Sequence, residues 1–79
     1  MIEIYTKADC GYCVAAKELM KINNVEYTEH TIGVDLTREE FLERFPDVKT
    51  VPMIMVDGNN IGGYDNLLEH ITLRNKNVS

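Results

Sequence analysis

The chain contains no tryptophan and only two prolines, two phenylalanines and two cysteines in 79 residues. It is also short of positive charge: 8 Lys and Arg stand against 13 Asp and Glu, for a net charge of −5. Non-specific binding to nucleic acid or to an anionic membrane needs a basic face, so this balance argues against both partners. No apolar run approaches the roughly 20 residues that a membrane-spanning helix requires. Met1 leads directly into Ile2-Glu3-Ile4-Tyr5, without the basic and apolar regions of a secretory leader. The expected compartment is a reducing cytoplasm. The two cysteines, Cys10 and Cys13, stand three apart. A bridge closing so small a loop does not staple a secreted mini-protein. The pair therefore needs a chemical explanation.

What is present suits one small domain spanning residues 1–79. An apolar fraction of 44% supports a core, and 27% charged residues give no sign of disorder. Met1 to Thr6 alternates Ile2 and Ile4 with Glu3 and Tyr5, a strand pattern. Lys7 to Gly11 is a turn. Tyr12 to Asn24 carries Val14, Ala16, Leu19, Met20 and Ile22 mainly at helical spacing, with Asn23-Asn24 as the stop. Val25 to Ile32 is rich in β-formers and reads as a second strand. Gly33 to Leu36 is a loop.

Thr37-Arg38-Glu39-Glu40 is a capping box opening a helix with Phe41, Leu42 and Phe45 on its apolar face, ended by Pro46. Met53 to Val56 is a continuous apolar run, as in a buried strand, with Met53 and Met55 as core. Asp57-Gly58 is a hairpin signal, so a short strand near Asn60-Ile61 runs back antiparallel. After Gly62-Gly63, Asp65 is a candidate cap for a last helix bearing Leu67, Leu68, Ile71 and Leu73. The polar tail 75–79 is expected to fray. The order β-α-β-α-β-β-α predicts a four-stranded mixed sheet flanked by helices, an α/β fold whose first two strands are parallel.

Cys10-Gly11-Tyr12-Cys13 falls between a strand and a helix within a βαβ unit, the context of a thioredoxin-like redox motif. Cys10 falls at or just before the helix start, where unpaired amides and the macrodipole favour a negative sulfur. Lys7 adds a positive charge nearby, and both effects lower a thiol pKa. The thiolate is the attacking species in disulfide exchange, so Cys10 is the candidate nucleophile and Cys13, one turn in, the resolving thiol. Two buried helical cysteines without chemistry, and a zinc site, are the alternatives. Zinc is disfavoured because structural sites want four ligands, while His30 and His70 have no metal-binding spacing and read as surface residues.

Three motifs in order, Cys10-Gly11-Tyr12-Cys13, Thr50-Val51-Pro52 and Gly62-Gly63-Tyr64-Asp65, resemble those of the glutaredoxins, and the resemblance covers nearly the whole chain. It looks like the small dithiol members from bacteria or phage and implies a thioredoxin-like fold. It also implies a glutathione-dependent oxidoreductase that reduces protein disulfides and glutathione mixed disulfides. No metal is expected, the protein is expected to be a monomer, and ribonucleotide reductase is a substrate at the level of the family.

By the same resemblance, Lys7 faces the glycine carboxylate of glutathione and Tyr12 lines the groove beside the thiolate. Thr50 positions backbone, Val51 pairs with the cysteinyl part through its main chain, and Pro52 matches a cis-proline. Gly63, Tyr64 and Asp65 hold the γ-glutamyl end. Lys49, beside that motif, is a second candidate for a carboxylate. Plainer roles stand beside these: Asp65 as an N-cap, Gly62-Gly63 as a turn, Tyr12 as an exposed helix residue and Lys7 as a solvated charge.

The sequence departs from the commonest pattern in three places. Gly11 stands where proline is usual, Asn66 where a second acidic residue is frequent, and Tyr64 where some relatives carry cysteine. Cys13 disfavours the monothiol branch. Two competing functions are an electron donor reduced by thioredoxin reductase and a glutathione-ligated iron–sulfur cluster protein. Thioredoxin itself usually has a tryptophan beside its cysteine pair.

Overall fold

The computed structural model describes residues 1–78. The elements run β1 (Ile2–Thr6), α1 (Gly11–Ile22), β2 (Thr28–Thr31), α2 (Arg38–Arg44), β3 (Met53–Val56), β4 (Asn59–Gly62) and α3 (Tyr64–Val78). The sheet order is β2-β1-β3-β4. β1 and β2 are parallel, as a strand–helix–strand crossover requires, and β3 is antiparallel to both β1 and β4. This is the expected thioredoxin-like mixed sheet.

Helices cover both faces. Ile4 and Ile54 pack with Ala16 and Met20 of α1 and Leu67 and Ile71 of α3 on one side. Tyr5 and Met53 pack with Leu36 and Phe41 on the other. Full burial of a side chain such as Leu67 contributes about 1.5–3 kcal/mol. Two-sided cover explains why Tyr5, read from alternation as the polar-side partner of Glu3, is buried against Phe41 and Phe45.

Several boundaries differ from the sequence reading, each for a local reason. α1 starts at Gly11 because Cys10 is its N-cap, and it ends at Ile22 because Asn24 turns left-handed at φ 56°. Val14 and Ile22 of α1 are exposed, so its buried stripe is the narrower set Cys13, Ala16 and Met20. Val25 does not begin β2. Its amide closes onto the Met20 carbonyl at 2.8 Å and its side chain enters the core, so pairing starts only at Thr28. His30 is not a free surface residue: it stacks on Tyr5 at 4.7 Å between ring centres and lies 3.0 Å from a Glu3 carboxylate oxygen. α2 opens with the complete capping box from Thr37 and Glu40. α3 continues through Val78, into the segment read as a tail, and Ser79 lies outside the described residues. No described helix is long and apolar enough to cross a membrane.

Antiparallel pairing places Tyr5 opposite Met53, so the chain leaving β1 and the chain entering β3 meet at one end of the sheet. The cysteine motif and Thr50-Val51-Pro52 are brought together there.

Candidate active site

Cys10 sits at the N-cap of α1 with extended backbone, and its sulfur accepts a hydrogen bond from the Cys13 amide at 3.2 Å. The Val14 amide closes the first helical turn on the Cys10 carbonyl, also at 3.2 Å. An N-cap side chain normally offers oxygen to these orphan amides. Here sulfur takes that place, where the positive end of the helix dipole stabilises an anion. Cys10 Sγ also lies 3.8 Å from the Val51 carbonyl oxygen. Cys10 and Cys13 form a disulfide, their Cα atoms 5.2 Å apart. Cys10 is half-buried while Cys13 is only 2% exposed, so an incoming sulfur meets Cys10 first.

Beside Cys10 runs a groove of about 460 Å³ lined by Tyr12, Thr50, Val51, Pro52, Gly63, Tyr64, Asp65 and Asn66. Tyr12, 68% exposed, and Tyr64 form its walls, their ring centres 6.0 Å apart. The Val51-Pro52 peptide is cis. Gly63 approaches the opposite wall closely: a Cβ there would meet the Pro52 carbonyl oxygen at 3.4 Å. All but two of the candidate glutathione residues thus share this groove. The exceptions are Lys7 and Lys49, which lie in an adjoining groove of about 670 Å³ with Arg38, Thr50 and Val51. The two grooves meet at Thr50 and Val51. Arg38 was missed by the sequence reading, which used it only inside the capping box. Its signal was its place in the first turn of a helix facing the Thr50-Val51 segment.

Asp65 is not the N-cap expected of it. α3 begins at Tyr64, which puts Asp65 in the first helical turn. The capping contact comes from Asn66, whose Oδ1 accepts from the Gly63 amide at 3.4 Å. This explains how asparagine is accommodated where an acidic residue is frequent. Asp65 is left exposed on the groove wall, its carboxylate free of any capping bond among the described residues.

Behind Cys13, the Thr6 hydroxyl donates to Glu29 Oε2 at 2.7 Å and the Lys17 ammonium donates to the same oxygen at 3.0 Å. The Thr6 bond is the largest influence holding the Glu29 carboxyl below its ordinary value of 4.5; burial opposes it, and Lys17 adds to the lowering. Among the described residues, no group of three or more His, Cys, Asp or Glu is arranged to hold a metal ion.

The glutaredoxin family model matches residues 2–61. The chain is 43% identical over 67 residues to glutaredoxin 3 of Escherichia coli, covering 84% of this chain and 80% of that protein. It is 39% identical over 71 residues to glutaredoxin 1 of Rickettsia conorii, covering 86% and 69%. Among solved structures, glutaredoxin 1 from Francisella tularensis complexed with cacodylate superposes with TM-score 0.80 at 29% identity, over 95% of each chain. A buckwheat glutaredoxin–glutathione complex superposes with TM-score 0.72 at 25% identity, over 95% of this chain and 69% of that one. With its disulfide-bonded cysteine pair at the start of α1 and a groove beside it, this thiol–disulfide oxidoreductase belongs to the glutaredoxin family.

Proposed function

We propose that the protein is a glutathione-dependent dithiol oxidoreductase that reduces protein disulfides and glutathione mixed disulfides. The observation that carries this reading is the N-cap sulfur of Cys10, 3.8 Å from the carbonyl oxygen of Val51, which lines the groove with Tyr12 and Tyr64. The similarity to a glutaredoxin crystallised with glutathione supports the same ligand here.

The Cys10 thiolate attacks a substrate disulfide, forming a mixed disulfide and expelling one substrate sulfur as thiolate. Cys13, as thiolate, attacks Cys10 Sγ and releases the second substrate sulfur, leaving the Cys10–Cys13 disulfide. A glutathione thiolate then attacks Cys10 Sγ, with Cys13 leaving. A second glutathione attacks the glutathione sulfur and restores the Cys10 thiolate. Two glutathiones supply the two electrons and leave as glutathione disulfide.

For the tripeptide, the Val51 main chain offers strand-like pairing to the cysteinyl residue. The amides at the start of α3, with Gly63 and Tyr64, suit the γ-glutamyl carboxylate. The Asp65 carboxylate suits its amine. Lys7, with Lys49 and Arg38 in the adjoining groove, suits the glycine carboxylate. Disulfide-bearing proteins are the second class of partner, docking around the exposed Tyr12. A coupled assay with glutathione, glutathione reductase and NADPH on a glutathione mixed disulfide tests the reading. Sustained NADPH oxidation is expected. Turnover only with thioredoxin reductase in place of glutathione contradicts it.

A further inference from the structure

The glutathione groove lies on one side of the cysteine pair. On the other side a separate cavity of about 600 Å³ is lined by Cys10 and Cys13 together with Thr6, Lys17 and Glu29. Glu29 occupies a position that pattern alone assigns to an apolar residue. It pairs with Ile4 in parallel register, and Ile4 lies in the core beneath α1. Local rules broken in this way concentrate at functional sites. Thr6 is only 2% exposed, a buried polar side chain whose hydroxyl is committed to Glu29.

Lys17 follows Cys13 by four residues on α1, one turn along the same face. A lysine head is ordinarily left mobile in solvent, because ordering it costs side-chain entropy. Here two neighbouring strands supply the atoms that fix it: Thr6 holds Glu29, and Glu29 Oε2 accepts from Lys17 Nζ at 3.0 Å. The Lys17 side chain is 27% exposed and the Glu29 side chain 31%, so the pair is partly withdrawn from water. The other charged groups facing the cavity are Lys7 and Asp9, from the loop after β1, while Lys21 acts on Glu29 from the next turn of α1. No described residue of α2, α3 or β3 lines it.

We propose that Lys17, fixed by Glu29 and Thr6, is the electrostatic partner of Cys13 and stabilises the thiolate that Cys13 becomes whenever the disulfide opens or closes. Glu29 is then a positioning residue that acts through Lys17. The inference rests on thiol–disulfide exchange at the cysteine pair and not on glutathione as the reductant. When an incoming thiolate bonds to Cys10 Sγ, the Cys10–Cys13 bond breaks and its electron pair leaves on Cys13 Sγ. The incoming sulfur is oxidised and Cys13 is reduced. In the resolving direction the Cys13 thiol gives its proton to water. Its thiolate then attacks Cys10 Sγ and expels the substrate thiolate. A fixed cation one turn away favours the anion in both directions. Without that cation, the Glu29 carboxylate faces the same cavity unneutralised and opposes it. An inward charge on an edge strand such as β2 also discourages unwanted strand pairing. That purely structural role leaves the ionisation of Cys13 unmoved.

The test titrates Cys13 in the Cys10→Ser chain through the ultraviolet absorbance of the thiolate. Lys17→Met is expected to raise the titration midpoint by about one pH unit, or about tenfold less thiolate at a given pH below it. Lys17→Arg is expected to keep the parent midpoint. In the Cys13→Ser chain, Lys17→Met is expected to leave the pH profile of Cys10 alkylation in place. An unmoved Cys13 midpoint overturns the proposal, and so does an equal shift at Cys10. Where Lys17→Met does not fold, Lys17→Gln keeps a donor for Glu29 without the charge, and the same upward shift is expected, with an unmoved midpoint again overturning it.

Discussion

The Cys13 amide donates to the Cys10 sulfur at 3.2 Å, a bond that favours negative charge on that sulfur once the disulfide is reduced. The bond exists because Cys10 is the N-cap of α1 and Cys13 lies in its first turn. Cys10 is therefore half-buried between the Val51 carbonyl and the orphan amides, while Cys13 is only 2% exposed. In the reduced protein, Cys10 is expected to be alkylated faster than Cys13 below pH 7. Mass mapping of partly alkylated protein measures the two rates. Equal rates contradict the assignment of Cys10 as nucleophile.

Asp65 stands on the groove wall and does not cap α3. Asp65→Ala is expected to raise the KM for a glutathione mixed disulfide several-fold, with the melting temperature nearly unchanged. Steady-state kinetics and a thermal melt separate the two effects. An unchanged KM removes Asp65 from the binding of the γ-glutamyl amine.

Gly62 adopts φ 114°, and a Cβ there would come within 2.5 Å of the Asn66 Oδ1 that reaches back to Gly63. Gly62→Ala is expected to cost about 1–3 kcal/mol of stability through backbone strain. It is also expected to displace Asn66, which bears on the γ-glutamyl end of the groove. Urea denaturation measures the first effect and the KM for the mixed disulfide the second.

Much of the fold was legible because its elements are marked by local chemistry. The Thr37–Glu40 capping box, the apolar run Met53–Val56 and the Asp57-Gly58 turn each specify a structure within a few residues. The errors fall where tertiary packing decides. Val25 looks like a strand residue but is taken by the core at the end of α1. Tyr5 looks half-exposed but lies between β1 and α2. At the site, the cysteine pair and the groove residues were readable as motifs. Arg38 and the Thr6–Glu29–Lys17 cluster were not, because each is assembled from residues distant in sequence with no spacing rule between them.

Acid is expected to weaken the fold through carboxylates whose native pKa values are lowered. Glu29 is lowered mainly by the Thr6 hydroxyl, Glu40 by hydrogen bonds from Thr37, and Asp57 by the bond from the Met1 ammonium. A lowered native pKa means that the unfolded chain binds more protons. The contribution is present above the ordinary carboxylate values of 4.5 for Glu and 3.8 for Asp, and it is lost as pH falls through the native values. Urea midpoints measured from pH 6 down to pH 3 are expected to fall, and Glu29→Gln is expected to flatten that fall. A parallel curve for Glu29→Gln contradicts the role given to the Thr6 and Lys17 bonds.

The division of labour between the two cysteines is tested most directly in the Cys13→Ser chain, assayed with glutathione on two substrates. Removal of glutathione from a mixed disulfide needs only Cys10 and is expected to survive. Reduction of a protein disulfide needs Cys13 to resolve the intermediate and is expected to be lost. Loss of both activities, or retention of both, contradicts the account.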